Sequence, residues 1–144
     1  MQVQSDPGSG FRIALAEDDH DLRTGLAALL EADGHQVDAL ASGAVLIEHL
    51  TAAILDVDAG RPDAIVTDVR MPGVSGLSIV EGLRANGWDA PIIIISAFAD
   101  QELRERVNRL GGAVLFAKPF DPDELGRTLS QMLRGHRACA AGAV

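Results

Sequence analysis

Residues 65–76 read IVTDVRMPGVSG. An apolar run stops at Asp68, and a Met-Pro-Gly turn follows at residues 71–73. Pro72 and Gly73 suffice to make that turn. A carboxylate at the end of a strand that reads as buried therefore needs a different reason. The same event recurs at three other places. Ile13–Ala16 runs into Glu17, Asp18 and Asp19; Ile92–Ile95 runs into Ser96; Ala113–Ala117 runs into Lys118 and then Pro119.

The runs are continuous rather than alternating. That pattern belongs to strands covered on both faces, as in a parallel sheet. The isoleucines at 92–95 are β-branched and follow Pro91, which favours strand over helix. Gln36–Ala39 alternates instead and reads as a fifth strand at an exposed edge. Between the runs lie helical stripes. Leu22, Leu26, Leu29 and Leu30 fall at i, i+4, i+7 and i+8, and Leu125, Leu129, Met132 and Leu133 repeat the spacing. Leu103, Val107 and Leu110 form a third stripe, Val45, Leu46, Leu50 and Ala53 a fourth, and Leu77, Val80 and Leu83 a fifth. Asp19, Ser42, Ser75 and Asp121 sit where helix caps belong, Pro122 suits a first turn, and Gly34 and Gly111 follow helix ends. Strand and helix thus alternate five times. Parallel neighbours need right-handed crossovers, so the expected fold is an open α/β sheet with helices on both faces.

A chain of 144 residues that is 47% hydrophobic suits one domain with a substantial core. We expect that domain over residues 11–134, between loose tails at 1–10 (MQVQSDPGSG) and 135–144. Twelve Lys and Arg stand against 21 Asp and Glu, a net charge of −9, which opposes direct nucleic-acid binding. A single cysteine, Cys139, excludes an internal disulfide and a Cys-x-x-Cys clip. The histidines, at 20, 35, 49 and 136, lack zinc-site spacing and read as surface or boundary residues. No apolar run approaches the roughly 20 residues of a membrane span, and the first residues do not form a signal peptide. The expected setting is cytoplasmic, without membrane insertion.

In an open α/β sheet the ligand site lies beyond the carboxyl ends of the strands. Any one of these polar residues alone is more simply a cap, a turn residue or a solvated charge. Together, acids, one hydroxyl and one lysine would converge on one rim. Two carboxylates about 4 Å apart repel by about 4 kcal/mol at an effective dielectric of about 20. Gathering Glu17, Asp18 and Asp68 therefore raises their pKa values or demands a cation. Mg2+ suits such a site, because it takes one or two carboxylates and leaves room for phosphate oxygens. A phosphoryl group on an aspartate also explains the remaining residues: Lys118 neutralises one oxygen and Ser96 donates to another.

At this point LAEDDHDLR, IVTDVRMPGVSG, IIIISA and FAKPF, in that order, strongly resemble the receiver domain of bacterial two-component response regulators. The resemblance covers about Phe11 to Leu133. It implies a flavodoxin-like (βα)5 sheet in strand order 2-1-3-4-5, an order the receiver fold shares with flavodoxin. It implies Asp68 as the phosphoacceptor and Glu17 and Asp18 as the acidic pair for Mg2+, with Asp18 the more direct ligand. The backbone carbonyl of Arg70 is implied as a further ligand, Ser96 as the switch hydroxyl, and Lys118 as the lysine before a cis proline. The implied partners are a sensor histidine kinase or a histidine phosphotransfer protein. Downstream, the resemblance implies a protein partner or a homodimer through the surface of the fourth helix, fifth strand and fifth helix. Such a domain is not an enzyme beyond its own phosphotransfer and slow autodephosphorylation.

Two departures stand out. The position three before Lys118, often aromatic in the family, is Leu115, and Phe116 should point to the opposite face by strand alternation. The stretch AAILDVDAGR at 52–61 is a few residues longer than usual, so a longer second helix or a loop is expected there. Two other function classes compete with the switch. An aspartyl-nucleophile phosphate hydrolase would want an acid two residues after Asp68, where Arg70 stands. A receiver fold that binds partners without phosphorylation would not need the complete set of Glu17, Asp18, Asp68, Ser96 and Lys118.

Overall fold

The computed structural model describes residues 10–55 and 61–142, with side chains as far as Arg137. Five strands and five helices alternate: β1 (Arg12–Ala16), α1 (His20–Ala32), β2 (Gln36–Leu40), α2 (Gly43–Leu55), β3 (Ala64–Asp68), α3 (Gly76–Ala85), β4 (Ile92–Ser96), α4 (Gln101–Leu110), β5 (Ala113–Ala117) and α5 (Pro122–Gly142). The strands form one parallel sheet in the order β2-β1-β3-β4-β5. The alternating strand, β2, lies at an edge as its pattern requires.

The continuous apolar runs are explained by two cores, one on each face of the sheet. Ile13, Leu15, Val66, Ile93 and Ile95 pack with Leu26 and Leu30 of α1 and with Leu125, Leu129 and Leu133 of α5. Ala14, Ala16, Ile65, Ile92 and Ile94 point the other way, against Leu46 and Leu50 of α2, Leu77 and Val80 of α3, and Leu103 and Val107 of α4. Each strand thus divides its side chains between two layers by simple alternation. The helical stripes agree, save for Val45, which stays 39% exposed on the outer side of α2.

Helix ends follow local chemistry, with two differences from the expected caps. Asp19 accepts the Leu22 N–H at 3.0 Å, Ser42 Oγ accepts from Val45 N–H at 3.2 Å, and Asp121 accepts from Asp123 N–H at 3.0 Å. Ser75 occupies the cap position of α3 but makes no side-chain capping bond. A cap not among those expected, Asp100, serves α4, accepting the Leu103 N–H at 2.9 Å. Gly34 and Gly111 have φ of 97° and 70°, conformations that glycine takes at no steric cost.

Three other expectations need adjustment. The helix α5 runs on to Gly142, eight residues past the boundary drawn at Arg134. Its alanines favour helix, and the segment touches the domain: Arg137 lies 4.5 Å above the Phe11 ring, and His136 Nε2 lies 3.9 Å from Asp89. His35 is buried rather than peripheral; its Nδ1 accepts the Phe11 N–H at 3.3 Å, while burial lowers its pKa. The helix α2 reaches Leu55, and the rest of the long 52–61 stretch falls largely at 56–60, outside the described residues. Residues 1–9 of the expected amino-terminal tail also lie outside them.

One cation ties the carboxyl ends of α3 and α4 together. Arg84, near the end of α3, donates to the carbonyls of Gly111 at 2.8 Å, Trp88 at 2.9 Å and Leu110 at 3.1 Å. Those carbonyls belong to the ends of α3 and α4, where helix geometry leaves acceptors without internal partners. We expect Arg84→Ala to cost about 1–3 kcal/mol of stability, since it strands several acceptors at once. Urea denaturation measures this; an unchanged midpoint would show that water replaces the guanidinium without loss.

Candidate functional site

Strand register builds the site. Ala16 stands opposite Thr67 on β1 and β3, so Glu17 emerges beside Asp68. Asp68 stands opposite Ile95 on β3 and β4, and Ser96 opposite Ala117 on β4 and β5. The four polar strand ends are therefore level and adjacent. Lys118 N–H donates to the Ser96 carbonyl at 2.8 Å, which carries the β4–β5 ladder one residue further, and the Lys118–Pro119 bond is cis, as the resemblance implied.

Asp68 is almost fully buried. Its Oδ1 accepts the Arg70 N–H at 2.9 Å and its Oδ2 accepts from Lys118 Nζ at 2.5 Å. Glu17 has no exposed surface. Its backbone N–H donates to the Leu40 carbonyl at 3.0 Å and its Oε2 accepts the Asp19 N–H at 3.0 Å. Its Oε1 lies 3.1 Å from Lys118 Nζ, within ion-pair range, yet it has no aligned hydrogen-bond donor. Asp18 is exposed. One carboxylate oxygen each from Glu17, Asp18 and Asp68 falls within 4.8 Å of the others.

Ser96 is buried at the same rim, but its hydroxyl faces its own loop. Oγ donates to the Phe98 carbonyl at 3.0 Å and accepts the Phe98 N–H at 3.1 Å. The structure thus brings Glu17, Asp18, Asp68 and Lys118 together and turns the Ser96 hydroxyl toward β4–α4. Alternation is as expected at β5: Phe116 joins the α1–α5 core with Phe120 at 5.8 Å between ring centroids, and Leu115 packs in the opposite layer.

Gly76 is a site residue that spacing alone did not reveal. Its N–H donates to the Val69 carbonyl at 3.1 Å, and a Cβ there would collide with the Asp68 carbonyl and the Thr67 hydroxyl. Only glycine lets α3 begin that close to the carboxyl end of β3. The available signal was the second glycine of GVSG, which reads as a turn residue unless the strand end beneath it is known.

The electrostatics follow from crowding. Burial pushes the Glu17 carboxyl up from 4.5 to about 7, helped by the neighbouring Asp68 and opposed by the Asp19 N–H and Lys118. For Lys118, burial acts downward, but hydrogen bonds and charge from Asp68 and Glu17 prevail and raise its pKa. One ammonium thus faces three carboxylates. A hard divalent ion fits this donor set: all-oxygen ligands, a buried carboxylate oxygen without a donor, and an excess of negative charge.

A parallel sheet of order 2-1-3-4-5, with an acidic cluster and one lysine at its carboxyl edge, defines a doubly wound α/β protein whose candidate site lies at its strand ends. Residues 13–130 match the family described as the response regulator receiver domain, and the chain belongs to that family of two-component signalling proteins. The transcriptional regulatory protein FixJ of Azorhizobium caulinodans is 38% identical over 112 residues, which cover 76% of this chain and 48% of FixJ. Sporulation initiation phosphotransferase F of Bacillus subtilis is 25% identical over 122 residues, covering 85% of this chain and 93% of that protein. Among solved structures, the receiver domain of the Francisella response regulator 1452 superposes with a TM-score of 0.74 at 25% identity, covering 88% of this chain and 98% of that one. The chain spans about half the length of the transcriptional regulators it matches. No helix among the described residues is long and apolar enough to cross a membrane.

Crowding at Glu17 has a pH signature in the metal-free protein. A carboxyl whose folded pKa is raised holds a proton that the unfolded chain releases. Its contribution is complete below about pH 4.5 and is lost as pH rises through about 7. We expect Glu17→Gln to stabilise the metal-free protein by on the order of 2 kcal/mol at about pH 8 and to be close to neutral at about pH 4. Urea midpoints at the two pH values test this, and a difference independent of pH would remove Glu17 as the titrating group.

Proposed function

We propose that this domain is a phosphorylation-operated signalling switch whose phosphoacceptor is Asp68. The observation that supports this best is the single lysine between two buried carboxylates: Lys118 Nζ lies 2.5 Å from Asp68 and 3.1 Å from Glu17, with Asp18 completing the acidic cluster. An Asp68 oxygen attacks the phosphorus of a phosphohistidine on a sensor histidine kinase or a histidine phosphotransfer protein. The P–N bond breaks, the imidazole nitrogen takes the electron pair, and an acyl phosphate forms on Asp68.

The chain's own residues supply position and charge. The sheet and the Arg70 N–H fix the Asp68 carboxylate, and Lys118 keeps an ammonium at the transferring oxygens. Glu17, Asp18, Asp68 and the backbone carbonyl of Arg70 are the groups we assign to Mg2+. When bound, Mg2+ neutralises the carboxylates and the phosphoryl oxygens. Ser96 leaves its bond to the Phe98 carbonyl and donates to the new phosphoryl group instead.

That exchange alters the β4–α4 loop, and hence the face formed by α4, β5 and α5, where a downstream protein or a second copy binds. Glu102, Arg104, Glu105, Arg109, Asp121, Asp123 and Glu124 mark that face with both signs of charge. Arg106 is engaged elsewhere, donating to Glu81 of α3 at 2.6 and 3.0 Å. We place the domain in the cytoplasm, beside its kinase. Arg70, two residues beyond Asp68, offers no proton for steady hydrolysis of an external phosphomonoester, so the only chemistry assigned is the domain's own phosphotransfer and slow dephosphorylation.

Acetyl phosphate and Mg2+ are expected to label the wild-type protein, giving the mass increase of one phosphoryl group. Asp68→Asn is expected to abolish labelling, and Lys118→Ala to slow it by about 100-fold or more, as for loss of one charge-stabilising donor. Intact-protein mass spectrometry reads all three. Equal labelling of wild type and Asp68→Asn would refute the assignment.

A further inference from the structure

We propose that Arg23 is the positioning residue of the metal site: it sets the direction of the Asp18 carboxylate by holding the backbone on both sides of it. The proposal rests on the reading that Glu17, Asp18 and Asp68 hold a divalent cation.

Arg23 lies in the first turns of α1, and its backbone N–H donates to the Asp19 carbonyl at 2.9 Å as ordinary helix geometry requires. Its side chain does something else. It folds back over the loop that carries the acids. Nη1 donates to the Glu17 carbonyl at 2.8 Å and, more weakly, to the Asp18 carbonyl at 3.4 Å, and Nη2 lies 3.2 Å from His20 Nδ1.

The consequence falls on Asp18. Among the described residues no donor holds its carboxylate, in contrast to Glu17 and Asp68. Its direction is therefore set by its own backbone. Peptide units are planar, so fixing the Glu17 carbonyl fixes the plane before the Asp18 Cα, and fixing the Asp18 carbonyl fixes the plane after it. The Asp19 N–H bond to Glu17 Oε2 steadies the second plane as well. With both planes held, the Cα–Cβ bond of Asp18 has one direction, toward the cluster it shares with Glu17 and Asp68.

A guanidinium suits this task better than an ammonium. Its planar fork reaches successive carbonyls and the His20 ring at once, whereas Lys offers a single mobile centre. Charge alone would be preserved by Lys; the fork would not. That difference separates positioning from simple attenuation of the acidic field.

The test measures Mg2+ binding by calorimetry in wild type, Arg23→Ala and Arg23→Lys, with backbone amide hydrogen exchange of residues 17–20 in the metal-free proteins. Both variants are expected to bind Mg2+ about tenfold more weakly, as for loss of an outer partner of a metal ligand. Both should exchange faster at 17–20 while the β3 and β4 amides stay protected, which also shows that they fold. Acetyl phosphate labelling should return to the wild-type rate at saturating Mg2+, because the defect lies in affinity and not in the transfer. Full Mg2+ affinity in Arg23→Lys would make the role one of charge and overturn the proposal, as would labelling that stays depressed at saturating Mg2+. Wild-type protein that neither binds Mg2+ nor labels would overturn the functional reading itself. Wild-type protein that does both, beside an Arg23→Ala variant of equal affinity, would overturn this inference alone.

Discussion

The structure depends on holding Glu17, Asp18 and Asp68 within 4.8 Å of one another against their mutual repulsion. Nothing in a solvated chain would gather them. The sheet does it by force of register: parallel pairing across β1, β3, β4 and β5 leaves no choice about which residues stand at the carboxyl edge. The cost of the gathering is met by the apolar layers on each side, where fully buried isoleucines and leucines fasten the strands. Lys118 compensates part of the charge. The rest appears as the raised pKa of Glu17, which burial and Asp68 together produce. A proton or a divalent cation relieves the same strain, so the site is built to favour an incoming positive charge.

Rigidity at the strand ends and adaptability around them have different sources. Asp68 is pinned by its strand, by the Arg70 N–H and by the close approach of Gly76. Gly43 plays a similar part at the start of α2, where a Cβ would collide with the Val74 carbonyl. The loop from Val69 to Ser75 is thus gripped from two helices. By contrast, Asp18 is exposed and Ser96 spends its hydroxyl on a bond two residues away. The rim thus combines carboxylates held in place, Glu17 and Asp68, with two groups, Asp18 and Ser96, held only through the backbone or through a local bond that can be exchanged.

Much of this was legible in the residues. IVTD and IIIIS declare buried strands because two-sided burial demands unbroken apolarity; AVLFA carries the same unbroken run but forms β5, the half-buried outer strand. Strand order, and the meeting of Glu17, Asp18, Asp68 and Lys118 at one edge, followed once the motifs stood in sequence. The harder features involve a side chain and a distant backbone carbonyl. The bonds from Arg84 to Gly111 and Trp88, and the reach of Arg23 back to Glu17, leave no period or spacing to read. His35 failed as a boundary residue for the same reason, since its partner is the Phe11 N–H 24 positions away. The length of α5 was missed because RACAAGA carries no apolar stripe, although alanine itself favours helix. Ser75 read as a cap because of its type, and it holds that position without making a side-chain bond, whereas Asp100 makes the capping bond on α4.

The residue at 115 bears on how a signal would leave the site. Phe116 is committed to the core beneath α1 and α5, in contact with Phe120, and reaching the β4–α4 side would require the strand to flip. Leu115 already occupies that side, packed in the layer of α2, α3 and α4. No aromatic side chain on β5 is placed to swing with Ser96. The route that the bonds at Ser96 offer the proposed switch runs through the backbone. The Ser96 carbonyl accepts the Lys118 N–H, and the Ser96 hydroxyl makes two bonds to the Phe98 backbone. Drawing the hydroxyl toward a phosphoryl group on Asp68 breaks those two bonds. The segment before the Asp100 cap of α4 would then be released, while Arg106 and Arg84 still tie α4 to α3, Arg84 at the carboxyl end of α4. In the proposed switch, motion would begin at the amino-terminal end of α4 and be resisted at the other, so that the loop from Ala97 to Asp100, and not a rotating ring, would be the moving part.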